Sequence, residues 1–274
     1  MDDYTKKSYA ASKVLTHAYS TSFGMSIRLF KQSLRPHIYA IYSLVRIADE
    51  IVDSYIGPDK EKRLNELEAD TKLALTTGYS INPIIHAFVT TARQFSIGSD
   101  LLTPFFKSMR MDITPKTFDQ KLYETYIYGS AEVVGLMCLK VFTNDTQAYE
   151  QLEYGAKHLG AAYQKVNFLR DIAADAEVLG RWYFPLASFD TFDDSVKAII
   201  VKDIEKDFTE AAHAIASLPD SSRKAVRLSY KYYSELLKRI KLTSASELKK
   251  RRIRVNDIQK TALFVRTSLG RNRA

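Results

Sequence analysis

A single cysteine, Cys138, is the whole thiol complement of this 274-residue chain. One thiol cannot close an internal disulfide, so the core must hold the fold, and such usage suits a reducing cytoplasm. Glycine and proline are also scarce, at 10 and 7 residues, and no Pro/Gly/Ser-rich linker interrupts the chain. A single, mostly helical domain over residues 1–274 is therefore expected. The five histidines are scattered, which excludes a His/Cys metal cluster and leaves no histidine with a catalytic role. No apolar run approaches the length that spans a bilayer; residues 133–139 fall far short. The opening MDDYTKKSYAASK lacks the apolar core of a signal peptide, so a cytoplasmic protein is expected. Strand alternation, internal repeats and a Gly-x-Gly-x-x-Gly fingerprint are missing too, which removes β-rich folds, solenoids and dinucleotide-binding βαβ units.

What the chain has in excess is positive charge, a formal +8. The basic residues are dispersed and accompany no nucleic-acid-binding motif, so nucleic acid is not an expected partner. The densest cluster is KKRRIR at 249–254, in a region that also holds Lys238, Arg239, Lys241 and Arg266. It reads either as a solvated helix end or as a peripheral contact with anionic membrane, worth about 1 kcal/mol per residue near the surface.

The most informative stretch is QKVNFLRDIAADAEVLGRWYFP at 164–185. Read as a helix, it aligns Gln164, Asn167, Asp171 and Asp175 on one stripe, while Val166, Phe168, Leu169 and Ile172 fill the rest of the circumference. A helix this apolar is buried on most sides, so its acid stripe should line an internal cleft. An Asp-x-x-x-Asp pair alone is usually a solvated face. Here it has a second copy: IYAIYSLVRIADEIVD at 38–53 carries Arg46, Asp49 and Asp53 on one stripe of an apolar helix. Asn and Asp oxygens one turn apart suit magnesium shared with a phosphate, not zinc or copper. Arg46 and Arg170 are the evident counter-charges.

These two segments resemble the paired aspartate motifs of the squalene/phytoene synthase family of head-to-head isoprenyl diphosphate synthases. YSTSF at 19–23, YIYGSAEVVGLM at 126–137 and GRWYFP at 180–185 fit the same family, in order, over most of the chain. One departure is Asp49-Glu50 where many relatives have a double Asp; Glu50 keeps the charge. The resemblance implies a single all-α domain of roughly a dozen helices around a central cavity. It implies Mg2+, with Mn2+ as a substitute, held by Asp49, Asp53, Asn167, Asp171 and Asp175, the four aspartates being catalytic. Isoprenoid diphosphates would be bound by Ser20, Ser22, Tyr42, Arg46, Gln164, Asn167 and Arg170. The wording is closest to bacterial phytoene synthases, which implies geranylgeranyl diphosphate as substrate and no NADPH. The alternatives are a squalene or dehydrosqualene synthase using farnesyl diphosphate and, ranked lower, a non-catalytic binding or assembly protein.

Along the chain, helices are expected at 4–19, from Pro36 through the first acid stripe, at 58–77 with Gly78 as the stop, from Pro83 to Gly98, and from a Ser99 cap to Asp112. Thr114-Pro115 reads as another cap. Phe105, Phe106, Met109 and Met111 read as core, with an isoprenoid-pocket wall as the minority reading. One long helix is expected over 119–142; its Gly129 and Gly135 mark either close packing or a ligand channel. Another runs from about Asp145 to Leu179. Residues 180–190 are expected to be a lid that keeps water from the cleft. Helices at 193–218, 220–242 and 256–270 complete the chain. Ser20 and Tyr42 each keep a structural alternative, as a helix cap and as core.

Overall fold

The structure, a computed structural model, describes residues 1–114 and 117–269, and of Thr21 and Ser22 the backbone alone. The expectations for Ser22 and Pro115 fall outside what is described. The architecture is all-α. In order come α1 (Asp3–Tyr19), α2 (Thr21–Ile27), α3 (Arg35–Asp53), α4 (Lys60–Thr77), α5 (Pro83–Gln94), α6 (Ser99–Met111) and α7 (Gln120–Ile127). A π-helical segment (Tyr128–Glu132) then leads into α8 (Val133–Thr143), α9 (Thr146–Glu177), α10 (Asp194–Ser217), α11 (Asp220–Leu242), α12 (Ala245–Leu248) and α13 (Asp257–Ser268). Among the described residues no strand forms; Thr117 and Trp182 share one isolated bridge.

Local chemistry explains most boundaries. Asp145 caps α9 by accepting from the Ala148 N–H at 2.7 Å, and Gly78 stops α4 at a φ of 82°. Three boundaries depart from expectation. Helix α5 stops at Gln94, before a left-handed Ser96, and does not reach Gly98. Gly98 occupies the cap of α6, with Ser99 its first residue. The 119–142 run is one path but not one helix type, because the π segment interrupts it.

That interruption sits where neighbouring helices come closest. A Cβ on Gly129 would lie 2.2 Å from the Pro104 carbonyl oxygen on α6. A Cβ on Gly160 of α9 would lie 2.7 Å from the carbonyl oxygen of Ala131. Backbone cannot yield at such distances, so these glycines set how tightly α6, the π segment and α9 pack. The Phe105, Phe106, Met109 and Met111 side chains are buried core.

Two large apolar clusters flank the acid stripes. One gathers Ile41, Leu44, Phe88, Phe106 and Leu136 around α3, α5, α6 and α8. The other gathers Phe168, Leu169, Tyr183, Phe184, Ile204 and Leu236 around α9, α10 and α11. Segment 178–193 belongs to the second cluster, which corrects the expectation of a lid: Tyr183, Phe184 and Phe192 are 5%, 3% and 2% exposed. A loop that puts three aromatic rings into a core is a fixed strap, because lifting it would expose them all to water.

Candidate active site

Helix α3 brings Arg46, Asp49 and Asp53 to one face; α9 brings Asn167, Asp171 and Asp175 to another. The strap 178–193 joins them. The backbone N–H of Arg181 donates to the Asp175 carbonyl at 2.8 Å. Its guanidinium crosses to α3, donating to Asp53 at 2.6 Å and to the Val52 carbonyl at 3.1 Å. It also reaches the Asp112 carbonyl at 2.7 Å. Buried at 7% exposure, this guanidinium is compensated on all sides.

Asp112 is the second residue that sequence reasoning missed. Its carboxylate is buried and accepts hydrogen bonds from Tyr126 at 2.6 Å and Tyr183 at 2.9 Å. Burial pushes it up to about 6, against the downward pull of Arg181 and of the two tyrosine hydroxyls. A lone acid after an apolar helix carries no periodic signal, and Arg181 falls in the stretch expected to form a lid.

The acid stripes are strongly perturbed. Burial, then the neighbouring Asp53 carboxylate, pushes Asp49 up to about 8, despite Arg46. Burial, then Asp171, pushes Asp175 up to about 7, despite Arg181. Asp171 sits between two guanidiniums, with Arg170 Nε at 3.0 Å and Arg252 Nε at 2.7 Å. Arg46 and Arg170 are thus not the only counter-charges; Arg181 and Arg252 join them. Arg252 comes from the KKRRIR cluster, in which Lys249 lies over the Phe189 ring and Arg251 pairs with Glu247.

Glu50 behaves differently from its neighbours. It pairs with Arg46 one turn earlier, so the Asp49-Glu50 departure places a partner for Arg46 beside the stripe. The Arg46 guanidinium also lies 4.3 Å from the centre of the Tyr19 ring, and its Nε is buried with no hydrogen-bond partner among the described residues. Tyr42 stacks on Phe23 and lies near enough to Arg46 and Asp49 to feel both charges, so it faces the cleft. Ser20 caps α2, its hydroxyl accepting from the Phe23 N–H at 3.1 Å, and lies close to Tyr42. Tyr233 stacks 4.0 Å from Tyr163 and lies beside Asn167.

The donor set decides which ion would fit. Among the described residues no three His, Cys, Asp or Glu side chains converge as a ready cation site. Each stripe offers two carboxylates, and Asn167 adds an Oδ1 that is buried without a hydrogen-bond partner. Paired carboxylates with an amide oxygen suit Mg2+ that takes its remaining ligands from water and substrate phosphate. They do not suit a metal needing a full protein cage.

Behind the stripes lies an apolar cavity of about 240 Å³. Its walls come from α2, α3, the π segment and helices α8 to α11, with Val134, Cys138, Ala156 and Ala214 among them; Gln164 contributes an amide. Phe105, Phe106, Met109 and Met111 do not line it. Along α9 the lining positions give way to the acid stripe within one turn of Gln164.

The family model described as squalene/phytoene synthase matches residues 16–259. The chain belongs to that family. It is 28% identical over 188 residues to the phytoene synthase of Mycobacterium tuberculosis, covering 68% of this chain and 60% of that protein's length. It is 32% identical over 207 residues to the presqualene diphosphate synthase of Zymomonas mobilis, covering 74% of this chain and 67% of the relative. A solved dehydrosqualene synthase superposes with a TM-score of 0.81 at 20% identity over 97% of both chains, which shows a shared fold. Within this squalene/phytoene synthase fold, both acid stripes and the apolar cavity lie inside the matched span.

Proposed function

We propose that this protein condenses two geranylgeranyl diphosphates head-to-head, through a cyclopropyl diphosphate, to phytoene. One observation carries the reading: two facing acid stripes, tied together by Arg181, stand beside an apolar cavity. Two diphosphates need two cation-binding walls, and two prenyl chains need a dry interior. The clustered aspartates speak against a non-catalytic binding or assembly protein, because a scaffold gains nothing from mutually repelling carboxylates.

Mg2+ bound by the Asp49/Asp53 and Asn167/Asp171/Asp175 stripes would supply Lewis-acid stabilisation of the departing diphosphates, with Mn2+ as a substitute. The chain's own groups do the rest. Arg46 and Arg170, with Arg252 beside Asp171, offer charge-assisted hydrogen bonds to phosphate oxygens. Tyr42 and Tyr233 hold the polar rim of the cleft. Once the first diphosphate leaves, the allylic cation is attacked by the double bond of the second chain, and a proton is lost as the cyclopropane closes. A second ionisation and rearrangement follow. Apolar walls keep water from trapping either cation, and the released diphosphate accepts the last proton.

A second reading, a synthase acting on farnesyl diphosphate, draws on the 32% identity to the presqualene diphosphate synthase of Zymomonas mobilis. The deciding experiment incubates purified protein with Mg2+ and each diphosphate, with and without NADPH, and identifies the product. Phytoene from geranylgeranyl diphosphate alone is expected. Turnover of farnesyl diphosphate only, or a hydrocarbon that appears only with NADPH, overturns the proposal in favour of the second reading. No helix of the described residues is long and apolar enough to cross a membrane, and the proposed location is the cytoplasm with peripheral membrane contact.

A further inference from the structure

A second basic site lies away from the acid stripes, in a surface groove of about 540 Å³ between the end of α1, the turn after α2 and the start of α3. Its polar lining is Lys13, His17, Arg28, Gln32, Arg35 and Tyr39. Among the described residues no carboxylate lines it, and none of its three permanent cations makes an ion pair with an acid. Elsewhere on the surface such cations have acid partners one turn away, as in Lys72–Glu68 and Arg63–Asp59.

The groove is also partly preorganised. Arg35 Nε donates to the Phe30 carbonyl at 2.9 Å and one terminal nitrogen to the Arg28 carbonyl at 2.8 Å. Its guanidinium is therefore held in place instead of sweeping through solvent. His17 hydrogen-bonds the buried Tyr39 hydroxyl at 3.1 Å. Burial, then the charges of Arg28 and Lys13, holds its imidazole below the usual histidine range. Three like charges around one concavity repel each other unless an anion lies between them. From Tyr39 to Asp49 is about 15 Å along α3 at the helical rise, so the groove is separate from the acid-lined cleft.

We propose that this groove binds a phosphate group, carried either by an anionic lipid headgroup or by a free phosphate, and that Lys13 and Arg28 supply most of the attraction. The acid stripes repel phosphate when no divalent cation is present, so binding measured in EDTA reports the groove and not the cleft.

The test compares wild type, a Lys13→Gln/Arg28→Gln double variant, and a Lys202→Gln/Lys206→Gln variant that removes the same charge from the exposed side of α10. Every protein–probe combination is measured in EDTA: calorimetry with inorganic phosphate, and co-sedimentation with phosphatidylglycerol or phosphatidylcholine vesicles. The groove variant should lose about 30-fold in phosphatidylglycerol partitioning, the expectation for two basic residues at an anionic surface, while the α10 variant stays close to wild type. Loss confined to the vesicle arm identifies a lipid headgroup, and loss in the calorimetric arm identifies free phosphate. Equal losses in the two variants would mean that net charge alone acts, and absence of binding to either probe would mean that no site exists; each of these overturns the proposal.

Discussion

Arg181 donates to Asp53 at 2.6 Å across 128 positions of sequence, and the same residue's backbone N–H holds the Asp175 carbonyl. One strap residue therefore sets the separation of the two acid stripes. Replacing it with Gln would leave Asp53 and the buried Asp112 without their guanidinium. Breaking a buried ionic arrangement from one side costs about 3–5 kcal/mol, and the Asp53 end is exposed, so the lower part of that range applies. Denaturant unfolding of Arg181→Gln should show that loss at pH 8. At pH 5 the loss should be smaller, because Asp112, held at about 6, is then protonated and needs its partner less. An equal loss at both pH values would separate Arg181 from Asp112.

The raised carboxylates make a second prediction, for the metal-free protein. Asp49 at about 8 and Asp175 at about 7 both lie above the unfolded value near 4. Between those limits the native state binds more protons than the unfolded chain, so unfolding free energy falls as pH rises. His37, held at about 4 by burial, runs the other way: it destabilises the fold as pH drops below its unfolded value near 6.5. The clean window is therefore pH 6.5–8. Stability should decline across it, and Asp49→Asn should flatten the decline. A rising curve in wild type would show that the stripes are already compensated.

Chemistry supplies the third. Asp49 and Asp171 stand on different walls, and neither wall alone can hold both diphosphates. Asp49→Ala and Asp171→Ala should each lower the first half-reaction as well as the second, by at least about 10²–10³-fold, the scale of losing one preorganised electrostatic contact. Single-turnover analysis of products checks this. Accumulation of the cyclopropyl diphosphate in one variant would restrict its wall to the later step.

How these walls could be foreseen is a matter of periodicity. The spacing of Arg46, Asp49 and Asp53, and of Asn167, Asp171 and Asp175, shows in the sequence because a helix projects i, i+3 and i+7 to one side. Asp145, Gly78 and Pro36 mark helix ends for equally local reasons. Arg181, Arg252 and Asp112 carry no such mark, since each acquires its role from partners tens of residues away. The aromatic residues of the strap suit a cover and a core equally well, and only their burial, with Tyr183 reaching Asp112, distinguishes the two. The π segment leaves no mark because α8 is apolar on nearly every side, so the phase shift of one extra residue breaks no visible stripe.

The last prediction separates ligand-binding carboxylates from structural ones. Asp171 is flanked by Arg170 and Arg252, so Asp171→Asn removes two ion pairs at a partly open site and should cost the free protein no more than about 1 kcal/mol. Asp175 makes no direct ion pair among the described residues and is pushed up to about 7 by burial and by Asp171. Asp175→Asn should therefore leave the free protein at least as stable as wild type at pH 8, where the native carboxylate carries an unfavourable charge. Ligands should reverse that order. Mg2+ alone gains little, because it keeps its water shell and lacks phosphate oxygens as co-ligands. Inorganic diphosphate alone also gains little in a cleft with this much negative charge. Both together, at a hundredfold over the dissociation constant of the complex, should add about 2.7 kcal/mol. Either asparagine variant should lose most of this joint gain while keeping its own ligand-free stability. Thermal unfolding with neither ligand, each alone and both provides the comparison. Additive gains in wild type, or a free Asp175→Asn protein that melts well below wild type, would make Asp175 a residue of the scaffold and not of the metal-diphosphate clamp.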